Sequence, residues 1–281
     1  MFGLFKKKEK PEAKKPADTQ SGEMRAFAAN FHPEEMTVLV VTGAKGFATG
    51  KAEGDELWSG AMELTAWMEA DSPDIQRGEF KLVSKGDETL MDFLRQRVPR
   101  DFILKCKARL SLDGKSLLLT NLPEPGFDPD LKAILEEQKK PTAVEVEGLG
   151  KFTLNRSVGV LQAEIQFMGQ SAQICFDKDE DRTACARTAK AVLDHLIALD
   201  EKARNLAADK LLELANQWAA DADEEEVSRE EFLTRLTLES IDVAENESFN
   251  LWYNDGALFF GHVIHVSGNL NDGVTDAQME G

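Results

Sequence analysis

Alternating and continuous apolar runs fill most of the first half of the chain. Met36–Thr42, "MTVLVVT", is β-branched and apolar, the pattern of a buried strand. Ala61–Met68 and Gly78–Ser84 predict two further strands. The period then changes. Leu90, Phe93, Leu94 and Val98 recur at helical spacing within Asp87–Val98, and Pro99 stops the helix. From Phe102 the alternation returns as two strands around an Asp113-Gly114 turn, a strong hairpin signal. Asp128–Lys140 opens with an aspartate cap and a proline at the first helical position, presents Leu131, Ile134 and Leu135 on one face, and ends at Pro141. Three strands, a helix and two strands is the order of an OB-type barrel.

A second pattern begins near Thr142. Consecutive antiparallel strands are predicted, separated by Gly148–Gly150, Arg156–Ser157 and Gly169–Gln170. From Glu180 to Ala220 no glycine or proline occurs, and Ala184, Val192, Leu199, Ala203, Leu211 and Trp218 trace an apolar stripe. Its length predicts two helices. Ser228 with Glu231 is a capping box opening a short helix. Strand patterns then run to the end. The expectation is a two-domain α+β protein, with a strand-rich domain over residues 24–140 and an antiparallel sheet packed on helices over residues 141–281. Residues 1–23 are lysine- and proline-rich after Phe5 and predict a disordered basic tail. Phe2–Lys8 could touch an anionic membrane surface, but one short apolar patch anchors only marginally, so a solubilising tail is the preferred reading.

Charge sharpens the expected partner. The net charge is −18, and residues 1–20 hold six lysines against three acids, so the remainder carries −21. Such a chain repels duplex nucleic acid, whose binding draws on cation–phosphate contacts, and attracts a basic protein. No apolar run reaches the length of a membrane span, and Met1–Phe5 is too short for a secretory leader. Cys106, Cys175 and Cys185 form neither a disulfide framework nor a metal-ligand spacing, which points to a reducing cytoplasm. No cofactor is expected, and the pattern implies no oligomeric state.

Candidate chemistry is sparse. Gly43–Gly50 follows a strand, but its spacing and the alanine at position 52 fail the phosphate-loop pattern. Asp221–Phe232 imitates a calcium loop, yet Glu226 stands at the obligatory glycine and Phe232 at the bidentate glutamate. Nucleophile-elbow, zinc-protease and Cys-x-x-Cys motifs are absent. His262 and His265 are three apart in a run read as a strand from Leu258 to Val266, which puts them on opposite faces and rules out a chelate. His262 with Asp255 is the remaining catalytic candidate. Lys105, Lys107 and Arg109 alternate with apolar residues and line the outer face of their strand, a candidate anion-binding surface.

Asp255, Gly256, Leu258, Phe259, Gly261, His262, Ile264 and Val266 spell D-G-x-L-F-x-G-H-x-I-x-V, and with "GLGKFTLNR" and "LANQW" the C-terminal half resembles a bacterial family known only as a domain of unknown function. The stretch from Leu112 to Pro141 resembles a companion N-terminal domain often fused to it. The resemblance implies a bacterial α+β protein and brings no activity. The expected function is a non-enzymatic interaction module binding a basic partner, of regulatory or toxin-neutralising type. One alternative is a hydrolase-like enzyme using His262 with Asp255 or another carboxylate. The other is anionic-ligand or single-stranded nucleic-acid binding through the Lys105/Lys107/Arg109 face.

Overall fold

The computed structural model describes residues 16–222 and 225–281, with side chains from residue 22 onward. The expected contact of Phe2–Lys8 with a membrane, and part of the acidic run after Asp221, lie outside the described residues. The chain divides into two compact units, one ending at Lys140 and the other spanning Pro141–Gly281. Among the described residues no helix is long and apolar enough to cross a membrane.

The first unit contains α1 (Pro16–Ala28), β1 (Met36–Thr42), β2 (Ala48–Gly50), β3 (Trp58–Glu69), β4 (Gln76–Gly86), α2 (Glu88–Arg97), β5 (Ile103–Leu110), β6 (Ser116–Leu119), β7 (Glu124–Pro125) and α3 (Pro129–Lys139). Helix α1 covers part of the stretch whose composition predicted disorder. β1 pairs with both β3 and β5, β3 with β4, β4 with β6 and β6 with β5, so the ring β1-β3-β4-β6-β5 closes on itself. Only the β4–β6 pair is parallel among these. With α2 inserted between the third and fourth ring strands, this is the Greek-key order of an OB-type barrel.

β1 is apolar throughout because it is buried on both faces. Val38 and Val40 point into the barrel with Met62, Leu64, Leu82, Leu104, Cys106 and Leu117. Leu39 and Val41 point outward and pack with Leu131 and Leu135 of α3. Each fully buried leucine or valine contributes about 1.5–3 kcal/mol of transfer free energy, which the period of β1 collects on two sides. Both helix starts follow their caps. The Asp87 carboxylate accepts from the Leu90 amide at 2.8 Å, and Asp128 accepts from Asp130 and Leu131 at 2.9 Å.

The second unit contains β8 (Ala143–Val146), β9 (Gly150–Asn155), β10 (Val160–Phe167), β11 (Gln170–Asp177), α4 (Arg182–Asp194), α5 (Leu196–Asp221), α6 (Arg229–Arg235), β12 (Thr237–Val243), β13 (Ser248–Asn254), β14 (Val263–Asn269) and β15 (Gly273–Glu280). The strands form one sheet in the order β15-β14-β13-β12-β11-β10-β9-β8. Neighbours are antiparallel except β11 and β12, which the helical segment connects in parallel. The glycine-free stripe resolves into two helices that break at His195. Its alanines (Ala189, Ala203, Ala207 and Ala215) pack in one core with Ile174, Ile241, Leu251, Tyr253 and Ile264 of the sheet.

One predicted strand begins late. Ala257 and Phe260 have φ of 67° and 56°, left-handed values that no strand residue adopts, so Gly256–Gly261 is a turn and β14 starts at Val263. The facing positions read for Leu258, Phe260 and His262 therefore do not apply.

Candidate functional site

Asp255 and His262 flank that turn. Asp255 is buried, and its carboxylate accepts from the backbone N–H of Ala257 at 3.1 Å, Phe259 at 2.6 Å and Gly261 at 3.4 Å. Gly256 has φ +57°, and a Cβ there would lie 2.6 Å from the Arg235 carbonyl oxygen, so a side chain is excluded on two counts. His262 Nδ1 lies 2.5 Å from the Phe259 carbonyl oxygen, and its ring stands edge-on to Trp218 with centroids 5.3 Å apart. Among the described residues no hydrogen bond joins His262 to Asp255. The geometry gives both side chains work within the loop: an anchor for three amides and a wedge against Trp218.

The other face of the second sheet carries polar residues that sequence reasoning did not assemble. Register places Gln162, Cys175, Asp242, Asn250, Ser267 and Asp276 in one row across six strands. Beside it run Glu164, Gln173, Ser240, Trp252, His265 and Gln278. His265 stacks on Trp252 at 4.3 Å between centroids, with Nε2 2.9 Å from Asn250 Oδ1 and Nδ1 3.1 Å from Glu280. The Trp252 indole donates to Asp242 at 2.7 Å, and the Cys175 thiol donates to the same carboxylate at 2.8 Å. Burial, then the Asp242 charge, push the Cys175 thiol far up, so it stays protonated and is no nucleophile. Among the described residues no group of three or more His, Cys, Asp or Glu side chains is arranged to hold a metal ion.

At the helical side lies a buried ion pair. Asp200 accepts from Tyr253 Oη at 2.9 Å and from Arg204 Nε at 2.7 Å. Arg204 also donates to the carbonyls of Leu233 and Leu236, tying α5 to the C-terminal end of α6. Burial, then the Asp200 charge, raise the Tyr253 hydroxyl far above its ordinary range. The polar groups are mutually satisfied, which is the signature of a structural network.

On the barrel, Lys105, Lys107 and Arg109 do alternate outward along β5. Arg109 is spent on backbone: it donates to the carbonyls of His32 at 2.6 Å, Phe31 at 3.1 Å and Ala28 at 3.3 Å, at the C-terminal end of α1. Lys107 lies 3.1 Å from Glu35, and Lys105 lies 4.0 Å from Glu124, both lysines being about half exposed. Exposed pairs of this kind hold their cations weakly, so both ammonium groups are open to exchange partners.

Two exposed phenylalanines lie at the end of the same strand pair. Phe127 is 71% and Phe102 38% exposed, large values for such side chains. β7 pairs with β5 through Leu104↔Pro125 and Lys105↔Glu124, and the Gly126 N–H donates to the Ile103 carbonyl at 2.9 Å, so Phe102 and Phe127 each follow directly on that ladder. Gly126 permits the approach, since a Cβ there would sit 2.9 Å from the Lys105 nitrogen. Thr42 fixes the Phe102 backbone by accepting its N–H at 3.0 Å, donating its own N–H to the Phe102 carbonyl at 2.9 Å and donating its hydroxyl to Pro99. The one signal available in sequence was a lone phenylalanine in "PEPGFDPD", an apolar residue with no periodic partner.

Residues 146–279 match the family described as uncharacterized protein conserved in bacteria (DUF2262), and residues 23–138 match a domain of unknown function (DUF7021). No curated protein matches the chain. Solved structures that resemble it include the SSB domain of a Synechococcus sp. protein, 14% identical with a TM-score of 0.26, covering 32% of this chain and 93% of that one. The single-stranded DNA binding protein from Thermus aquaticus is 9% identical with a TM-score of 0.24, covering 51% of this chain and 73% of that one. A replication protein A heterotrimer bound to ssDNA is likewise 9% identical with a TM-score of 0.24, covering 50% of this chain and 38% of that one. TM-scores this low add nothing to the topology, which the strand order establishes by itself.

The expectation of a basic protein partner, with duplex nucleic acid set aside on charge, is corrected here: the solved structures that resemble the chain are single-stranded DNA-binding proteins. The acids are unevenly placed. Residues 141–281 hold 11 Lys and Arg against 27 Asp and Glu, whereas residues 21–140 hold 16 against 21. The barrel is close to balanced. The chain thus carries, in order, a DUF7021 domain and a domain of the DUF2262 family of uncharacterized proteins conserved in bacteria.

Proposed function

We propose that the first unit binds single-stranded nucleic acid along the β5–β7 ribbon. Phe102 and Phe127 would stack bases while Lys105 and Lys107 exchange their carboxylate partners for phosphates. The observation that carries this reading is that two exposed phenylalanines and two half-exposed lysines lie on the same β5–β7 segment of an OB-type barrel. Stacking is sequence-tolerant, since every base has a π-face, and cations tracking the backbone supply the salt-sensitive remainder. The reading requires a compartment that holds nucleic acid, and the cytoplasm suits three buried, unbridged cysteines. Fluorescence anisotropy of a labelled oligothymidylate tests it. Saturable binding that weakens with salt and is lost in the Phe102→Ala/Phe127→Ala double variant is the expected result. Absent binding at low ionic strength would sink it.

A further inference from the structure

OB barrels commonly bind ligands across the second and third strands and the loop joining the first to the second. In this barrel those are β3, β4 and residues 43–57, and α1 lies against that region. Glu23 of α1 reaches a cradle there. Its Oε1 is 2.6 Å from Lys85 Nζ, and its Oε2 accepts from the backbone N–H of Glu56 at 2.9 Å and of Leu57 at 3.2 Å. Lys85, on the outward face of β4, is only 8% exposed and also meets Asp55 Oδ2 at 3.2 Å. Phe27 of α1 covers it, with the ammonium 5.7 Å from the ring centroid.

Two adjacent amides and an ammonium around one anion are the donor set that phosphate oxygens use, and Glu23 comes to them from a separate helix more than thirty residues earlier. The cradle belongs to the barrel. Its anion belongs to α1. The hydrogen bond from Lys85 and the two amides hold the Glu23 carboxyl below its ordinary range against burial. Burial works to lower Lys85, but hydrogen bonds with Glu23 and Asp55 outweigh it and raise the ammonium above its usual value. Asp55 belongs to the barrel, so Lys85 has a carboxylate partner independent of α1.

We infer that Lys85 Nζ and the amides of Glu56 and Leu57 form a phosphate site on the barrel, which Glu23 occupies as an internal anion, so that α1 gates it. For a nucleic-acid phosphate the inference deepens the proposed function; for free phosphate it stands without it.

Calorimetric titration of the full chain with inorganic phosphate at fixed ionic strength is the test. Glu23→Ala is expected to bind phosphate about tenfold more tightly than the unaltered protein, the scale of charge-assisted hydrogen bonds made available. Glu23→Ala/Lys85→Ala is expected to lose that gain. Glu23→Gln keeps a side-chain oxygen for the two amides and perturbs folding least, so it is expected to show a smaller gain. Equal phosphate affinity in the unaltered protein and Glu23→Gln, with Glu23→Ala equal or unfolded, overturns the inference, as does a gain that survives loss of Lys85. A parallel titration with oligothymidylate separates the sources. Tighter oligonucleotide binding by Glu23→Ala that depends on Lys85 supports a nucleic-acid phosphate. A gain for phosphate alone supports the cradle as a free-phosphate site, whether or not the β5–β7 ribbon binds nucleic acid.

Discussion

The two units put their polar side chains to different use. In the second, the candidate-site groups are committed within the fold: Asp255 with three amides, Asp200 with Tyr253 and Arg204, Asp242 with Trp252 and Cys175. In the first, Lys105 and Lys107 of β5 hold weak exposed partners, and the buried cation among the described residues, Lys85, is matched by a carboxylate from another element. Groups committed to backbone amides are costly to disturb and chemically silent. Groups held by exchangeable carboxylates are cheap to disturb and available. The motif most visible in the sequence thus builds a turn, and the proposed binding geometry is assembled from residues that no motif joins.

Substitutions break this contrast in order of size. Arg204→Met leaves the Asp200 carboxylate buried without its cation and is expected to cost about 3–5 kcal/mol in chemical denaturation. Asp255→Ala strands three amides in the Gly256–Gly261 turn and is expected to cost about 3 kcal/mol in the same assay, whether or not His262 has any chemistry. On the barrel the large effect moves from stability to binding. Phe102→Ala and Phe127→Ala are each expected to weaken oligonucleotide binding by about 1–3 kcal/mol per stacked base. Lys105→Ala and Lys107→Ala are each expected to lower the slope of log affinity against log salt by about 0.7, with stability within about 0.5 kcal/mol of the parent. A stability loss at Lys105 matching that at Arg204 would erase the contrast.

Acid offers the gentlest probe. The Glu23 carboxyl is depressed in the folded state, so its contribution is present above the ordinary carboxylate range and is lost as pH falls through its lowered folded value. The protection factors of the α1 amides after Glu23 are expected to fall through that window, ahead of those of α3, whose contacts with β1 are apolar. Simultaneous release of both helices would contradict a gate held by one carboxylate.

The barrel order was legible because its determinants are local: the apolar run of β1, the Asp87 and Asp128 caps, the Asp113-Gly114 hairpin. The two-helix stripe before Trp218 was legible for the same reason. The turn at Gly256–Gly261 was not, because a β-branched run after it extends the strand pattern backward and only left-handed backbone at Ala257 and Phe260 stops it. Position along β5 told where Lys105, Lys107 and Arg109 point, but not that Arg109 is consumed by α1 carbonyls. Phe102 with Phe127, and Glu23 with Lys85, are separated by long stretches of chain. The β5–β7 pairing, and the packing of α1 on β4 that joins Glu23 to Lys85, are tertiary features that residue spacing does not encode.

The central claim is that the balanced barrel, not the acidic sheet, meets nucleic acid. Anisotropy of labelled oligothymidylate with the full chain across a salt series tests it most directly. Binding that falls linearly on the log–log plot, with a negative slope that Lys105→Ala/Lys107→Ala makes shallower, is the predicted result. No binding at the lowest salt, or binding untouched by the ribbon variants, would contradict it.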